Sequence, residues 1–272
     1  MSGTPVKKIH LIGIGGIGMS GLARIYLAQG HAVQGSDVKR SPILSELEAI
    51  GARIFIGHDA AHVHGQDVVI YSTAVKETHP ERAAAAALGI KVLHRSEALA
   101  ALCAGKRTIA VTGTHGKTTT TGLIGMVLKE AGRDPSIVVG GIVKSFGGNA
   151  CLGKGAEIVI EADESDSSFL RFSPDVAVIT NAEEEHMDHF GTVEKIEAAY
   201  RKFILRLPKD GYWLGCGEDA RVAGWVREEM RPAKAYGFHV SRDRIYATDI
   251  LECPEGRKGV SFYVWDGYDL LG

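Results

Sequence analysis

The chain has 272 residues, 31 Lys and Arg against 33 Asp and Glu, and a formal net charge of −2, a length that suggests two domains at about 100–200 residues each. A composition of 45% hydrophobic and 24% charged residues excludes a disordered chain, and the near-zero balance argues against bulk nucleic-acid binding. No apolar run approaches the ~20 residues of a membrane helix, Met1–Pro5 lacks a secretory core, and Cys103, Cys151, Cys216 and Cys253 form no CxxC pair, which fits reduced thiols in a cytoplasmic protein.

The first hundred residues alternate strand and helix patterns. Val6–Ile12 reads as a strand, followed by a glycine cluster and a helix over Ile17–Gln29 that Gly30 stops. Ala32–Gly35 is a short strand, and Pro42–Ile50 a helix with Ser41 as N-cap. Arg53–Ile56, Val68–Tyr71 and Lys91–Leu93 are β-type runs, and Pro80–Leu88 and Ser96–Cys103 are helices. Such alternation predicts an α/β fold with a mostly parallel sheet.

Ala104-Gly105-Lys106 reads as a hinge, after which the pattern restarts. Strand Thr108–Thr112, a glycine turn, helix Lys117–Ala131 and strand Ile137–Val139 are followed by strands Ile158–Glu161 and Val176–Thr180. Helix Val193–Leu207, strand Tyr212–Leu214 and helix Asp219–Met230 come next, then a β-rich tail, Arg244–Leu251 and Val260–Trp265, joined by the turn Pro254-Glu255-Gly256. The expected organisation is a Rossmann-like domain over 1–106 and a P-loop-type domain over 107–272.

Gly13-Ile14-Gly15-Gly16-Ile17-Gly18 matches GxGxxG between a strand and a helix. Its glycines let backbone amides approach a diphosphate at the positive end of the helix. Asp37, 19 residues past Gly18, stands where an acid binds a ribose hydroxyl. The motif alone leaves NAD and a UDP-sugar equally open. Gly113-Thr114-His115-Gly116-Lys117-Thr118 is a P-loop shortened by two residues. Its amides would cradle phosphates, Lys117 would face β/γ oxygens and Thr118 would ligate Mg²⁺, which points to ATP. Glu161-Ala162-Asp163-Glu164-Ser165-Asp166 follows an apolar strand, where a carboxylate can hold the ion that bridges the phosphates. His186, in Glu183-Glu184-Glu185-His186-Met187-Asp188-His189 after another strand, could complete a second metal site. His58, His62 and His64 lie in a polar loop with no paired cysteine and are not read as metal ligands. Trp213 and Trp225 are read as core, and the alanine run after Arg82 as a packing face.

The stretches Ile12–Ser20, Gly35-Ser36-Asp37, Gly113–Thr120, Glu161–Asp166 and His186-Met187-Asp188 together resemble the Mur ligases of bacterial peptidoglycan synthesis. The resemblance implies a three-domain enzyme, of which this chain matches the UDP-sugar domain and most of the ATPase domain. A fragment without full ligase activity is therefore expected. It further implies ATP-dependent amide formation between UDP-N-acetylmuramate and L-alanine, with Mg²⁺ or Mn²⁺, no nucleic acid and no membrane insertion. A preformed tripeptide in place of L-alanine is the alternative within the family, and an NAD-dependent oxidoreductase the alternative outside it. The implied ATP residues are Gly113, Thr114, His115, Gly116, Lys117, Thr118 and Thr119, with Lys117, His186 and His115 catalytic. Thr118 and Glu161 would hold one metal ion, and Glu161 and His186 a second. Gly15, Gly16, Ile17, Gly18, Ser36, Asp37 and, from the loop Lys144–Ala150, Asn149 would bind the UDP-sugar. Glu185 stands where the family more often has aspartate.

Overall fold

The computed structural model describes residues 6–228, 230–238, 244–252 and 260–271. Its elements, in chain order, are β1 (Lys8–Ile12), α1 (Ile17–Ala28), β2 (Ala32–Asp37), α2 (Pro42–Ala49), β3 (Arg53–Ile56), β4 (Val68–Tyr71), α3 (Pro80–Ala87), β5 (Lys91–His94), α4 (Arg95–Cys103), β6 (Arg107–Thr112) and α5 (Lys117–Glu130). There follow β7 (Ser136–Val143), β8 (Gly148–Cys151), β9 (Glu157–Glu161), β10 (Val176–Ile179), α6 (Met187–Phe190), α7 (Val193–Leu205), β11 (Tyr212–Cys216), α8 (Ala220–Arg227), β12 (Ala233–Gly237), β13 (Arg244–Glu252), β14 (Val260–Asp266) and β15 (Asp269–Leu270). Two compact units result, Met1–Arg107 with Thr118–Glu161, and Thr108–Lys117 with Ala162–Gly272.

In the first unit a parallel sheet runs β3-β2-β1-β4-β5. The order reverses between β1 and β4, which leaves a crevice at the carboxyl end of β1, where sheets of this class place ligands. Leu11, Ile14, Met19, Leu22, Leu44, Leu47 and Ile70 form the core between the sheet and its helices. Ser41 caps α2, its hydroxyl accepting from Leu44 N at 3.4 Å, as the sequence predicts. The alanine run packs less than expected. Ala85 is buried, whereas Ala83, Ala86 and Ala87 are exposed, because a surface helix turns only a narrow stripe inward.

The same unit holds three further strands, with β7 parallel to β9 and antiparallel to β8. β8 has no strand signal in its glycine-rich sequence. Its Asn149 is buried, and its amide nitrogen donates to the Ile17 carbonyl and to Ser20 Oγ (2.9 Å), which ties β8 to the first turn of α1.

In the second unit β6, β10, β11, β12 and β13 are successive parallel neighbours, and β14 and β15 add antiparallel at the end. Trp213, Trp225, Tyr200, Phe169 and Phe203 are fully buried, with Tyr200 stacked on Trp225 at 5.2 Å between ring centroids. Both tryptophans are thus core, as expected. Asp219 caps α8, accepting from Val222 N at 2.9 Å, and α8 ends at Arg227, three residues earlier than the sequence pattern suggests. β13 and β14 pair as an antiparallel hairpin; the turn Pro254-Glu255-Gly256, Cys253 and Met1–Pro5 lie outside the described residues. Cys151 and Cys216 are free thiols, and among the described residues no helix is long and apolar enough to cross a membrane.

Candidate active site

The second glycine loop connects β6 to α5. Gly113 has φ +130°, and a Cβ there would stand 2.1 Å from Thr180 Oγ1, so only glycine lets the loop pass this close to the end of β10. Thr180 Oγ1 donates to the His115 carbonyl at 2.6 Å, and Asn181 Oδ1 accepts from His115 N at 2.8 Å. The buried Thr114 hydroxyl accepts from Glu183 N at 2.9 Å. Side chains beyond β10 therefore hold the loop from outside. Gly116 is exposed with φ +80°.

Lys117 folds back over this loop. Its Nζ donates to the carbonyls of Gly113 (2.6 Å) and Thr114 (3.1 Å) and to Glu164 Oε1 (2.8 Å). With these acceptors already on the ammonium, an incoming phosphate exchanges with one of them. Glu164 is buried, and burial pushes its carboxyl above the usual range while Lys117 pulls the other way. Glu164 is a member of the acidic run to which sequence reasoning assigned no role. The run is divided by local geometry, since Asp163 Oδ1 accepts from Ser165 N (3.0 Å) and Asp166 Oδ1 from Ser168 N (2.9 Å). Those two are turn-makers.

His186 sits at φ +58°, before the four-residue α6, with its Nε2 3.7 Å from Glu164 Oε1. Ser167 is also left-handed, at φ +60°, and its Oγ meets His189 Nε2 at 2.9 Å. Such backbone conformations cost on the order of 1 kcal/mol each and concentrate at functional sites. The structure thus gathers Lys117, Glu164 and His186. The His115 side chain turns elsewhere, toward Glu185 (3.3 Å) and Glu183 (3.6 Å).

In the first unit, Thr118 Oγ1 donates to Glu161 Oε2 at 2.8 Å, and the same oxygen accepts from Gly140 N at 2.7 Å. A Cβ on Gly140 would meet Glu161 Oε1 at 2.4 Å, and one on Gly141 would meet Thr118 Cγ2 at 2.9 Å. Two glycines of β7 therefore make the space in which this hydroxyl and carboxylate meet. An all-oxygen donor pair suits a hard cation of the Mg²⁺ type. Thr119 is exposed on the first turn of α5.

The first glycine loop is held from β2. The Ser36 carbonyl accepts from Gly13 N (2.8 Å) and Ile14 N (3.1 Å), and Asp37 Oδ2 accepts from Gly15 N (2.9 Å). Gly16 precedes α1 with no side-chain cap, which leaves the helix amides of Ile17 and Gly18 available to an anion. Ser36 is fully buried, its hydroxyl donating to Glu81 Oε2 at 2.6 Å, so it shapes the loop through its backbone. The Asn149 side chain is committed to α1. A cation that sequence reasoning missed stands close by. Arg95, first residue of α4, has its Nη1 3.3 Å from where a Gly18 Cβ would be. Nothing in the local sequence around Arg95 signals this, because the approach depends on the strand order.

The description "Mur ligase family, catalytic domain" matches residues 8–107, and "Mur ligase middle domain" matches residues 111–270. The chain is 52% identical over 212 residues to the UDP-N-acetylmuramate–L-alanine ligase of Renibacterium salmoninarum, covering 78% of this chain and 46% of that protein. It is 44% identical over 265 residues to the enzyme of that name from Acidithiobacillus ferrooxidans, covering 97% and 56%. The chain thus spans about half the length of the curated relatives it matches. Among solved structures it is similar to UDP-N-acetylmuramate-alanine ligase MurC from Thermotoga maritima, at TM-score 0.80 and 29% identity over 94% of this chain and 60% of that one. It is also similar to the UDP-N-acetylmuramate:L-alanyl-gamma-D-glutamyl-meso-diaminopimelate ligase from Neisseria meningitides, at TM-score 0.84 and 28% identity over 97% and 85%. On the two matched domains and these relatives, the chain belongs to the Mur ligase family.

Proposed function

We propose that this chain supplies the UDP-sugar and ATP sites of an ATP-dependent ligase that joins L-alanine to UDP-N-acetylmuramate in peptidoglycan precursor synthesis. In this reading residues 1–106 bind the UDP-sugar and 107–272 bind ATP. The lactyl carboxylate attacks the γ-phosphorus of ATP, giving an acyl phosphate and ADP. The amine of L-alanine then attacks the acyl carbon, loses a proton, and expels phosphate as the amide forms. Charge neutralisation and alignment provide most of the acceleration in such transfers.

The observation that carries the reading is Lys117, held over its own loop by Gly113, Thr114 and Glu164. On nucleotide binding it exchanges a carbonyl or Glu164 for phosphate oxygens. Gly113, Thr114, Gly116 and Thr119 shape or line the loop, and the His115 backbone, fixed by Asn181, contributes an oriented amide. Thr118 and Glu161 are the residues to hold Mg²⁺ or Mn²⁺, which when bound neutralises the phosphate oxygens; His186 is assigned to a second ion. Gly15 to Gly18 face the diphosphate with Asp37 toward the ribose, and Ser36 and Asn149 support that loop from behind. We place the reaction in the cytoplasm, with both nucleotide substrates.

The tripeptide reading is favoured by the Neisseria meningitides neighbour. The 44–52% identity to alanine ligases weighs for L-alanine, and membership of the Mur family leaves the oxidoreductase alternative without support. Calorimetry of the chain with UDP-N-acetylmuramate and then MgATP tests both sites. Phosphate release with L-alanine against the tripeptide, measured after completing the chain with the C-terminal half of the Renibacterium salmoninarum relative, tests the acceptor. Absence of MgATP binding rejects the proposal.

A further inference from the structure

A second group of ligand-type side chains lies inside the first unit, behind Ser36 of the first glycine loop's support. Glu81, in the first turn of α3, is fully buried. Its Oε2 accepts from Ser36 Oγ at 2.6 Å and lies 3.3 Å from His58 Nδ1 and 3.4 Å from His10 Nε2. Its Oε1 is 2.7 Å from His62 Nδ1. His79, the N-cap residue of α3, packs its ring edge-on to His58 at 4.4 Å between centroids. Four imidazoles thus surround one buried carboxylate, drawn from β1, the loop after β3, the 3-10 turn Ala60–Val63 and the start of α3.

The hydrogen bonding of this group is incomplete. His79 Nδ1 is buried with no hydrogen-bond partner, and the fully buried His10 ring meets Glu81 only through its 3.4 Å Nε2 contact. Buried polar atoms are nearly always satisfied, and an orphan calls for an explanation such as an ion. One ligand atom each from His58, His79 and Glu81 lie within 4.8 Å of one another. Tetrahedral zinc, with bonds of about 2.0–2.2 Å, sets its ligands about 3.4 Å apart. Rotation of the half-buried His58 and His79 rings would close that difference, at the expense of the 3.0 Å contact between His58 Nδ1 and Ser36 Oγ. Two imidazoles and one carboxylate form a borderline donor set that suits Zn²⁺ and its neighbours, not Mg²⁺. His62 would keep its bond to Glu81 Oε1 and so orient the carboxylate from outside the coordination sphere.

We infer that His58, His79 and Glu81 bind one divalent transition-metal ion of the zinc class, with His10 Nε2 or water as the fourth ligand. The ion would cross-link the loop after β3 to the start of α3. Its ligands lie outside both glycine loops, and the cluster touches the first loop's support through Ser36, whose hydroxyl meets Glu81 and His58; zinc uptake in the absence of any nucleotide is therefore read separately from the ligase reading.

The test is a zinc titration of chelator-treated protein in excess Mg²⁺, followed by competition with a chromophoric chelator, and a parallel Co²⁺ titration read by visible absorption. One equivalent is expected to bind, with the intense visible bands of tetrahedral cobalt and a rise in Tm. His79→Asn places a favourable N-cap residue at the head of α3, where the His79 side chain makes no capping bond, and should weaken zinc at least 10-fold and abolish the Tm rise; His58→Asn should do the same. Circular dichroism checks that both fold. Wild-type protein that takes up no zinc, or folded His79→Asn that takes it up as tightly, overturns the assignment.

Discussion

The loops Gly13–Gly18 and Gly113–Thr118 each leave a parallel strand and open a helix, yet they meet an anion with different equipment. The second carries its cation within the motif. Lys117 is already neutralised by Glu164 and two carbonyls, so binding is an exchange of partners. The first has no lysine. Its amides are oriented by the Ser36 carbonyl and Asp37, and the nearest positive charge identified there, Arg95, arrives from α4, more than seventy residues along the chain. A motif that includes its own charge is legible in a line of sequence. One that borrows it becomes visible only after the strands are ordered.

The largest effect that separates the loops is Lys117→Ala. Calorimetry should show MgATP affinity reduced by roughly 100-fold, the scale of a lost charge-assisted contact, with UDP-sugar affinity unchanged. Equal loss of both ligands would break the comparison. Gly113→Ala comes next, since the new methyl meets Thr180 Oγ1 at 2.1 Å and φ is +130°. Destabilisation of about 2 kcal/mol or more is expected, seen as a lower denaturation midpoint together with weaker MgATP binding. Arg95→Ala should be the mirror image of Lys117→Ala on a smaller scale, with UDP-sugar affinity down about 10-fold and MgATP affinity unaffected. Asn149→Ala removes the bonds to Ile17 and Ser20. Its cost should be about 1–2 kcal/mol of stability; a change confined to UDP-sugar affinity would instead make Asn149 a direct ligand.

Much of the fold is periodic and therefore readable. Alternating β and α runs predict the β1–β5 sheet, and helix boundaries fall within a few residues where a cap such as Ser41 or Asp219 marks them. What escapes is short or unpatterned. β8 is Gly-Asn-Ala-Cys and β12 is Ala-Lys-Ala-Tyr-Gly, strands defined by the neighbours they pair with, since tertiary context overrides weak β propensity. The candidate site divides the same way. Lys117 and Glu161 stand in motifs, whereas the role of Glu164 appears only when its neighbours Asp163 and Asp166 prove to be turn-makers. The cluster around Glu81 joins His58 and His62 to His79 and His10 across β1, the β3 loop and α3, a convergence that no spacing along the chain encodes.

The smallest effect concerns the part of the first unit that carries Thr118 and Glu161. Glu157, at the start of β9, binds Arg133, whose Nε donates to Oε1 at 3.1 Å. The guanidinium holds the carboxyl below its ordinary value, burial opposing it more weakly. A depressed folded-state pKa stabilises the protein above the unfolded carboxylate value, about 4.3, and that stabilisation disappears as pH falls through the lower folded value. Arg133 is half exposed, so solvent screening limits the gain to about 0.5–1 kcal/mol. Arg133→Gln should therefore be less stable than wild type at pH 7 by that amount, with the two denaturation curves converging as pH falls below 4. A gap that persists into strong acid would mean that the Arg133 stem contributes by packing, and β9 would then owe nothing to this charge pair.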